Sequence, residues 1–201
     1  MIACLLLFVA ALYVRPLFWP FSNWDTPEFV SENPDARLGL TRAGLAWAFT
    51  TLAGGTAWHP LTWVSYLVDY ELFGVSPFGY RLTNLLLHAG TVVLLFTLLL
   101  RTTRALWPAA FVAAVFAVHP MNVETVVWVA ERKGVLAGFF VLLALHTYVT
   151  YVFASRRKGL WYGLTCLCHA CALLSKPAMV ALPLGMLLLD VWPLGRTGLV
   201  P

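Results

Sequence analysis

The sequence predicts an all-α protein, a polytopic transmembrane helical bundle of about six spans with interfacial helices in a long first outer loop. Of its 201 residues, 61% are hydrophobic and 11% are charged, whereas soluble domains are about half apolar and about a quarter charged. The apolar residues form runs close to bilayer length, and short turns rich in Arg and Lys follow several of them. This composition excludes a soluble globular domain.

The predicted spans follow the apolar runs, because about twenty consecutive apolar residues cross the hydrocarbon core as a helix. The first run has no basic segment before it and no small-residue cleavage site after it, so we interpret it as an uncleaved span. The third run is short and depends on its flanking residues or on a thinned bilayer. In chain order the runs are 2–18, 85–100, 105–118, 135–153, 160–174 and 178–189.

The orientation follows from the short turns, since short cytoplasmic loops carry an excess of Lys and Arg. Placing the basic turns in the cytoplasm makes the spans alternate consistently and leaves both termini inside. The outer segment that follows the first span then covers residues 19–80. The basic residues are Arg101 and Arg104 after the second span, Arg156, Arg157 and Lys158 after the fourth, and Arg196 after the last.

The long outer segment predicts two further helices. Residues 40–52 have apolar side chains near helical spacing and end before Gly54-Gly55. Residues 61–73 form a second apolar stretch, but Asp69 and Glu71 make it a poor span. Both stretches are rich in Trp and Tyr, which favours interfacial helices at the bilayer boundary. We expect one transmembrane domain over residues 1–201, with no repeat domain.

Under this topology, polar residues from four separate parts of the chain gather on the outer side. Chance is a poor explanation for such a gathering, and the outer cations run against the positive-inside tendency. The residues are Asp25, Glu28, His59, His119, Glu124, Glu131, Arg132, Lys133 and Lys176.

Two of these residues, Asp25 and Glu28, point to acid–base chemistry. Pro27 suits the first position of a helix, and residues three apart on a helix are neighbours. One carboxylate of such a pair can act as a base while the other tunes it or binds the acceptor. The alternative for Asp25 is a helix cap or a solvated acid. No metal ligand is assigned, since two carboxylates without a third ligand neither require nor exclude a divalent metal.

The cations Arg132, Lys133 and Lys176 are candidates for contacts with a phosphate. Anchoring to lipid headgroups is an equal alternative. His59 and His119 each precede a proline, which is also ordinary punctuation at a helix boundary. The sequence has no glycine-rich phosphate loop, no nucleophile elbow and no basic, aromatic-interleaved patch. We therefore expect no nucleic acid, and a substrate that is lipid-borne or delivered at the outer surface.

An ordered set of motifs resembles a known family. Together they resemble the membrane region of bacterial proteins that join a polytopic N-terminal half to tetratricopeptide repeats, and the related transmembrane and tetratricopeptide-repeat O-mannosyltransferases, which are type C glycosyltransferases. The motifs include Asn-Trp-Asp-Thr-Pro-Glu-Phe-Val (23–30), Trp-His-Pro-Leu-Thr-Trp (58–63), Leu-Thr-Asn-Leu-Leu-Leu-His (82–88), His-Pro-Met-Asn-Val-Glu-Thr-Val (119–126), Trp-Val-Ala-Glu-Arg-Lys (128–133) and Ser-Lys-Pro-Ala-Met (175–179).

The resemblance implies a bacterial inner-membrane enzyme that takes a sugar, mannose or a similar hexose, from a polyprenyl-phosphate carrier. The acceptor is a hydroxyl group on the extracytoplasmic side, on a protein Ser or Thr or on a glycan. The resemblance maps the base to Asp25. Many bacterial relatives carry two adjacent acids here, whereas this chain has Asp25-Thr26 and then Glu28.

The resemblance also maps the phosphate contacts. It assigns them to Arg132, Lys133 and Lys176, and the predicted substrate-binding set also includes His59, His119 and Glu124. Type C enzymes have more spans and this family has a repeat domain, so we expect this chain to be part of a longer protein. Two alternatives stay open, a noncatalytic scaffold or assembly subunit and a transporter of a lipid-linked anion. A scaffold tolerates neutralisation of Asp25, and a transporter places its cations at mid-bilayer depth.

Overall fold

The computed structural model describes residues 1–52 and 58–196. These residues are mostly helical and contain no strand, which confirms the all-α prediction. The predicted helix end at Gly54-Gly55 lies outside the described residues. The helices are α1 (Ile2–Tyr13), α2 (Arg42–Thr50), α3 (Pro60–Phe73), α4 (Pro77–Thr103), α5 (Leu106–Val118), α6 (Pro120–Val127), α7 (Arg132–Phe153), α8 (Lys158–Ser175) and α9 (Leu182–Val191).

Short helical turns of other types connect several of these helices. Four of them begin at or next to a proline, whose fixed φ and missing N–H suit the first helical position. The 3₁₀ turns are Arg15–Phe18, Asp35–Leu38, Val129–Glu131 and Pro177–Ala181, and Pro27–Ser31 forms a π-helical turn.

By length and composition, two helices of the described chain can each cross a membrane alone. They are α4, with 27 residues, and the continuous helical segment Val129–Phe153, with 25 residues. A third span results if α5 and α6 are taken together, and these two are bent by 55°. The bend lies at Pro120, which cannot donate the backbone hydrogen bond that a straight helix needs. Residues Ile2–Phe18 and Pro177–Val191 are apolar but shorter. The number of spans stays a prediction.

The bundle is built around α4 and α7, which run parallel. α5 runs antiparallel to α4, since the Nε2 atom of His88 lies 3.2 Å from the carbonyl oxygen of Ala117. The hydroxyl of Tyr13 donates to the same carbonyl at 3.1 Å, which brings the end of α1 to the end of α5. Three hydrogen bonds set the register of α4 and α7 from one end to the other, Asn84 with Arg132, Thr97 with His146 and Arg101 with Thr150.

We call the end of the bundle where α4 and α7 begin the site end. At the opposite end, Arg196 pairs with Asp190 at 3.0 Å. α5 can approach α1 and α4 closely because its buried positions are small residues such as Ala113 and Ala117, both fully buried. Small residues let helix backbones come together in membranes.

The two helices of the outer segment lie at the site end. α2 begins where the hydroxyl of Thr41 accepts a hydrogen bond from the backbone N–H of Gly44, an N-cap. α3 buries the face that carries Trp63, Tyr66 and Asp69 against the rest of the bundle. The interfacial location of α3 stays a prediction, but protein covers this face of the helix, where we had expected the bilayer boundary.

Candidate functional site

The site end brings together residues that lie far apart in the sequence. The Nζ atom of Lys133 lies 5.7 Å from the ring centroid of Phe29. The ring of Phe29 in turn stacks on His59, with 6.1 Å between centroids. The Nζ atoms of Lys133 and Lys176 lie 2.7 and 4.0 Å from the two carboxylate oxygens of Glu131. The segment around Phe29, the start of α3, the start of α7 and the end of α8 therefore meet at the site end.

Asp25 lies in an exposed turn with unusual backbone geometry. Its φ is +56°, in the left-handed region that non-glycine residues rarely adopt and that Asp and Asn tolerate best. The carbonyl of Trp24 accepts a hydrogen bond of 2.6 Å from the N–H of Thr26 and one of 3.0 Å from the Nε1–H of Trp128. Such strained residues often occur at functional sites, where the surrounding structure fixes them. We call residues 24–26 the Asp25 turn.

Glu28 follows Asp25 by about one helical turn. The N–H of Phe29 donates to the carbonyl of Asp25 at 3.0 Å, and Pro27 is the first residue of the π-helical turn, as the sequence predicts. Glu28 is exposed and lines a shallow depression of about 460 Å³ together with Glu32. Both candidate carboxylates are thus open to solvent and to a substrate.

The two lysines share one carboxylate. The carboxylate of Glu131 lies between the ammonium groups of Lys133 and Lys176. All three side chains are partly exposed. The cluster has a net charge of +1, so an incoming phosphate group meets an excess of positive charge.

His59 is a buried residue. Its ring is 2% exposed and stacks on Trp63 at 5.1 Å, and its Nε2 atom has no hydrogen-bond partner among the described residues. Burial and, to a smaller extent, the positive charge of Lys133 lower the pKa of His59 to about 4, while Glu131 opposes the change. His59 is therefore neutral at pH 7, and its ring supports Phe29 beneath Lys133.

Arg132 lies in the interior. Its side chain has no exposed surface, and its guanidinium pairs with the carboxylate of Asp69, which is 1% exposed. The Nε–H donates to Asn84 at 2.7 Å and the Nη2–H to the carbonyl of Tyr80 at 2.5 Å. In this structure the guanidinium binds protein groups on every side and contacts no open surface. Its predicted role as a phosphate contact has no geometric support here.

Sequence reasoning missed Asp69 as a partner of Arg132. Burial raises the pKa of the Asp69 carboxyl, while Arg132 and a 2.7 Å hydrogen bond from the hydroxyl of Thr83 limit the rise. The signal was present, because an acid in an apolar helix is costly to bury unless it is paired. We used that acid only as an argument against a span.

His119 and Glu124 lie apart from the lysine cluster. His119 is exposed and caps α6, its Nδ1 accepting a hydrogen bond of 3.3 Å from the N–H of Met121. Glu124 lines a groove of about 500 Å³ between α6 and the segment that leads to Asp25. We call it the α6 groove, and its other lining residues include Trp19, Ser22, Arg81 and Trp128.

Arg81 is the second residue that the sequence did not single out. It is 5% exposed, and its guanidinium donates to the carbonyls of Pro20 at 2.5 Å, of Val127 at 3.1 Å and of Trp19. A cation at the start of a long apolar helix was the available clue in the sequence. Next to the α6 groove, an apolar pocket of about 170 Å³ lies between α1 and α5 and includes Tyr13 and Val118.

The charged groups at the site end are suited to proton transfer and to the stabilisation of an anion. An exposed carboxylate on a fixed turn can accept a proton, and a cationic cluster can stabilise a leaving anion. Within residues 1–52 and 58–196, no group of three or more His, Cys, Asp or Glu side chains is placed to hold a metal ion.

Comparisons with known proteins agree with this architecture. The family model described as dolichyl-phosphate-mannose-protein mannosyltransferase matches residues 55–196. Protein O-mannosyl-transferase TMTC2 of Mus musculus is 35% identical over 130 residues, which cover 60% of this chain and 15% of that protein. Protein O-mannosyl-transferase TMTC1 of Mus musculus is 33% identical over 147 residues, 68% of this chain and 15% of that protein.

A relative from an insect is similar over a comparable length. Protein O-mannosyl-transferase Tmtc1 of Drosophila melanogaster is 31% identical over 144 residues, 70% of this chain and 16% of that protein. The alignments with these relatives thus span 15–16% of the relatives' own length. No solved structure matches the chain.

Proposed function

Because the chain belongs to the dolichyl-phosphate-mannose-protein mannosyltransferase family and is related to the TMTC O-mannosyltransferases, we propose that it is a membrane glycosyltransferase. It transfers mannose or a similar hexose from a polyprenyl-phosphate carrier to a hydroxyl group of an acceptor, a protein Ser or Thr. The observation that carries this proposal is the exposed, conformationally fixed Asp25 at the same end of the bundle as Lys133 and Lys176.

The reaction is a single displacement at the anomeric carbon. The carboxylate of Asp25 accepts the proton of the acceptor hydroxyl, and the acceptor oxygen forms the new bond to the anomeric carbon. The bond from that carbon to the phosphate oxygen breaks, and the phosphate leaves with the electron pair. The anomeric centre is inverted. A general base contributes about 10²–10⁴-fold to such a rate.

The lysine cluster acts on the leaving phosphate. Lys133 and Lys176 stabilise the growing negative charge, and Glu131 keeps both ammonium groups close together. Arg132 acts indirectly from the protein interior. Its buried pair with Asp69 fixes the start of α7 and thereby the position of Lys133. Glu28 binds the acceptor beside Asp25, and His119 and Glu124 contact substrate from α6.

The apolar pocket between α1 and α5 supports a lipid-borne donor. It opens beside helices that are long enough or apolar enough to lie in a bilayer, and it has room for part of an isoprenoid chain. We place the protein in the bacterial inner membrane with the site end outside, because the purely basic turns lie at the opposite end of the bundle.

The test is sugar transfer in proteoliposomes that contain the complete gene product, with a panel of radiolabelled polyprenyl-phosphate sugars. Asp25→Asn removes the charge but keeps the shape and tolerates the left-handed backbone. We expect a loss of transfer of at least 100-fold, in line with the removal of a general base. Asp35→Asn is the matched control, since Asp35 is another exposed acid of the same outer segment.

Two results would contradict the proposal. Transfer that is equal in Asp25→Asn and in the wild type removes Asp25 from the mechanism. No transfer of any donor by a correctly inserted wild type favours the scaffold or transporter instead.

A further inference from the structure

We propose that Trp128 and Arg81 are positioning residues that hold the Asp25 turn in its reactive conformation. This inference rests on the proposed function of Asp25 as the base. Neither residue contacts the carboxylate of Asp25. Both act on the backbone on either side of the α6 groove.

Trp128 holds the turn through a single directed bond. Its indole Nε1–H donates at 3.0 Å to the carbonyl of Trp24, the residue immediately before Asp25. The side chain of Trp24 is 72% exposed, so packing fixes residue 24 only weakly, whereas Thr26 on the other side of Asp25 is fully buried. The carbonyl bond therefore anchors residue 24 to the end of α6.

Arg81 joins the segment that leads to the Asp25 turn to the segment that leads to Trp128. Its guanidinium binds the carbonyls of Trp19 and Pro20 on the chain that leads to the turn, and the carbonyl of Val127 on the chain that leads to Trp128. It is almost fully buried at the start of α4, one of the two long helices of the bundle. The turn is thus joined to the bundle at two points.

The turn requires such an anchor because its backbone is strained. The φ of +56° at Asp25 is unfavourable for an L-residue, and an isolated segment of this sequence spends little time there. A hydrogen bond that is formed only when the turn is in place shifts the population toward that conformation. The direction in which the carboxylate points then depends on a residue more than 100 positions away in the chain.

Loss of the anchor should change catalysis more than binding. The lysine cluster and the apolar pocket do not include Trp128, so donor affinity is retained. A base that is less often in place lowers the rate of the chemical step. One neutral hydrogen bond corresponds to about a fivefold change in population.

The experiment compares Trp128→Phe with Trp58→Phe in the complete gene product. Trp128→Phe keeps an aromatic ring and removes the donor. Trp58→Phe is the matched control, because the Nε1–H of Trp58 also donates to a backbone carbonyl, that of Phe49, at 2.9 Å. Steady-state transfer gives kcat and KM for the donor. Hydrogen exchange followed by mass spectrometry reports the amides of Thr26 and Phe29 independently of activity.

We expect Trp128→Phe to lower kcat with KM unchanged and to raise amide exchange in residues 24–30. The fold loss of kcat multiplied by the fold gain of exchange should be about five, because one population ratio sets both. We expect Trp58→Phe to change neither. A product of the two fold-changes near one overturns the inference, because the population of the turn is then independent of the Trp128 hydrogen bond. Equal losses of kcat in both variants also overturn it, since they indicate general loosening. If the wild type transfers no sugar, the proposed function fails, and exchange alone then decides whether Trp128 fixes the turn.

Discussion

Replacing Asp69 with Asn tests the buried ion pair that underlies the site end. Asn has nearly the same volume as Asp and can still accept the hydrogen bond from Thr83. The change removes the negative charge and replaces the oxygen that faces Arg132 with an NH2 group. It leaves the guanidinium of Arg132 inside the protein with no countercharge, since both side chains are essentially buried.

The expected cost follows from that burial. Breaking a buried pair by removing one partner costs about 3–5 kcal/mol, because a charge is left uncompensated in a medium of low polarity. The remaining hydrogen bonds from Arg132 to Asn84 and Tyr80 keep the guanidinium in place and do not neutralise it. Asp190→Asn breaks the more exposed pair with Arg196 and should cost about 0–1 kcal/mol.

The free energy of unfolding is measured in mixed micelles by titration with a denaturing detergent, with tryptophan fluorescence as the signal. The double variant Asp69→Asn/Arg132→Gln should be less destabilised than the sum of its single variants, because it removes both charges. A value for Asp69→Asn within 1 kcal/mol of the wild type would refute the reasoning. So would strict additivity in the double variant.

Two further predictions concern the groups around the lysine cluster. His59 has a pKa of about 4 in the folded state and an ordinary value of 6.5 in the unfolded state. The unfolded state therefore binds the extra proton first as the pH falls, and the free energy of unfolding should drop by about 2 kcal/mol between pH 7 and pH 5. His59→Phe keeps the aromatic stack and should abolish that part of the pH dependence in the same detergent titration; an unchanged profile would contradict the prediction. Lys176→Met should raise KM for the donor about tenfold, on the order of 1.4 kcal/mol of lost binding. Lys158→Met at the opposite end of the bundle is the control and should leave KM unchanged. A similar rise in both variants would contradict a specific role for Lys176 and would show only an effect of total positive charge.

Some features of this structure could be predicted because they depend on residues that are close together in the sequence. The cap at Thr41 depends on residues within one turn, so the start of α2 could be predicted. The predicted alternation of spans, read from apolar run lengths and basic turns, puts Asp25, Lys133 and Lys176 on one side, and these residues lie at the site end of the bundle. Neither inference needs side-chain packing.

Arg132 is buried and Lys133 is partly exposed, a difference that could not be predicted from the sequence. These neighbours looked equivalent as cations, but each residue turns about 100° around a helix axis. The 3₁₀ turn Val129–Glu131 sets the rotation with which α7 begins, and this rotation directs Arg132 inward and Lys133 outward. Finding Asp69 as the partner of Arg132 required the packing of α3 against α4 and α7, which no local pattern encodes.

The position of α3 also determines when the site end can be completed during synthesis. The hydroxyl of Tyr66 binds the carbonyl of Val129, 63 residues later in the chain, and that of Thr62 binds the carbonyl of Ser175, 113 residues later. The ribosome therefore delivers α3 well before either partner exists. Until α8 has been made, the polar groups of α3 depend on water or on the insertion machinery, so the part of the molecule that carries the site is the last to close.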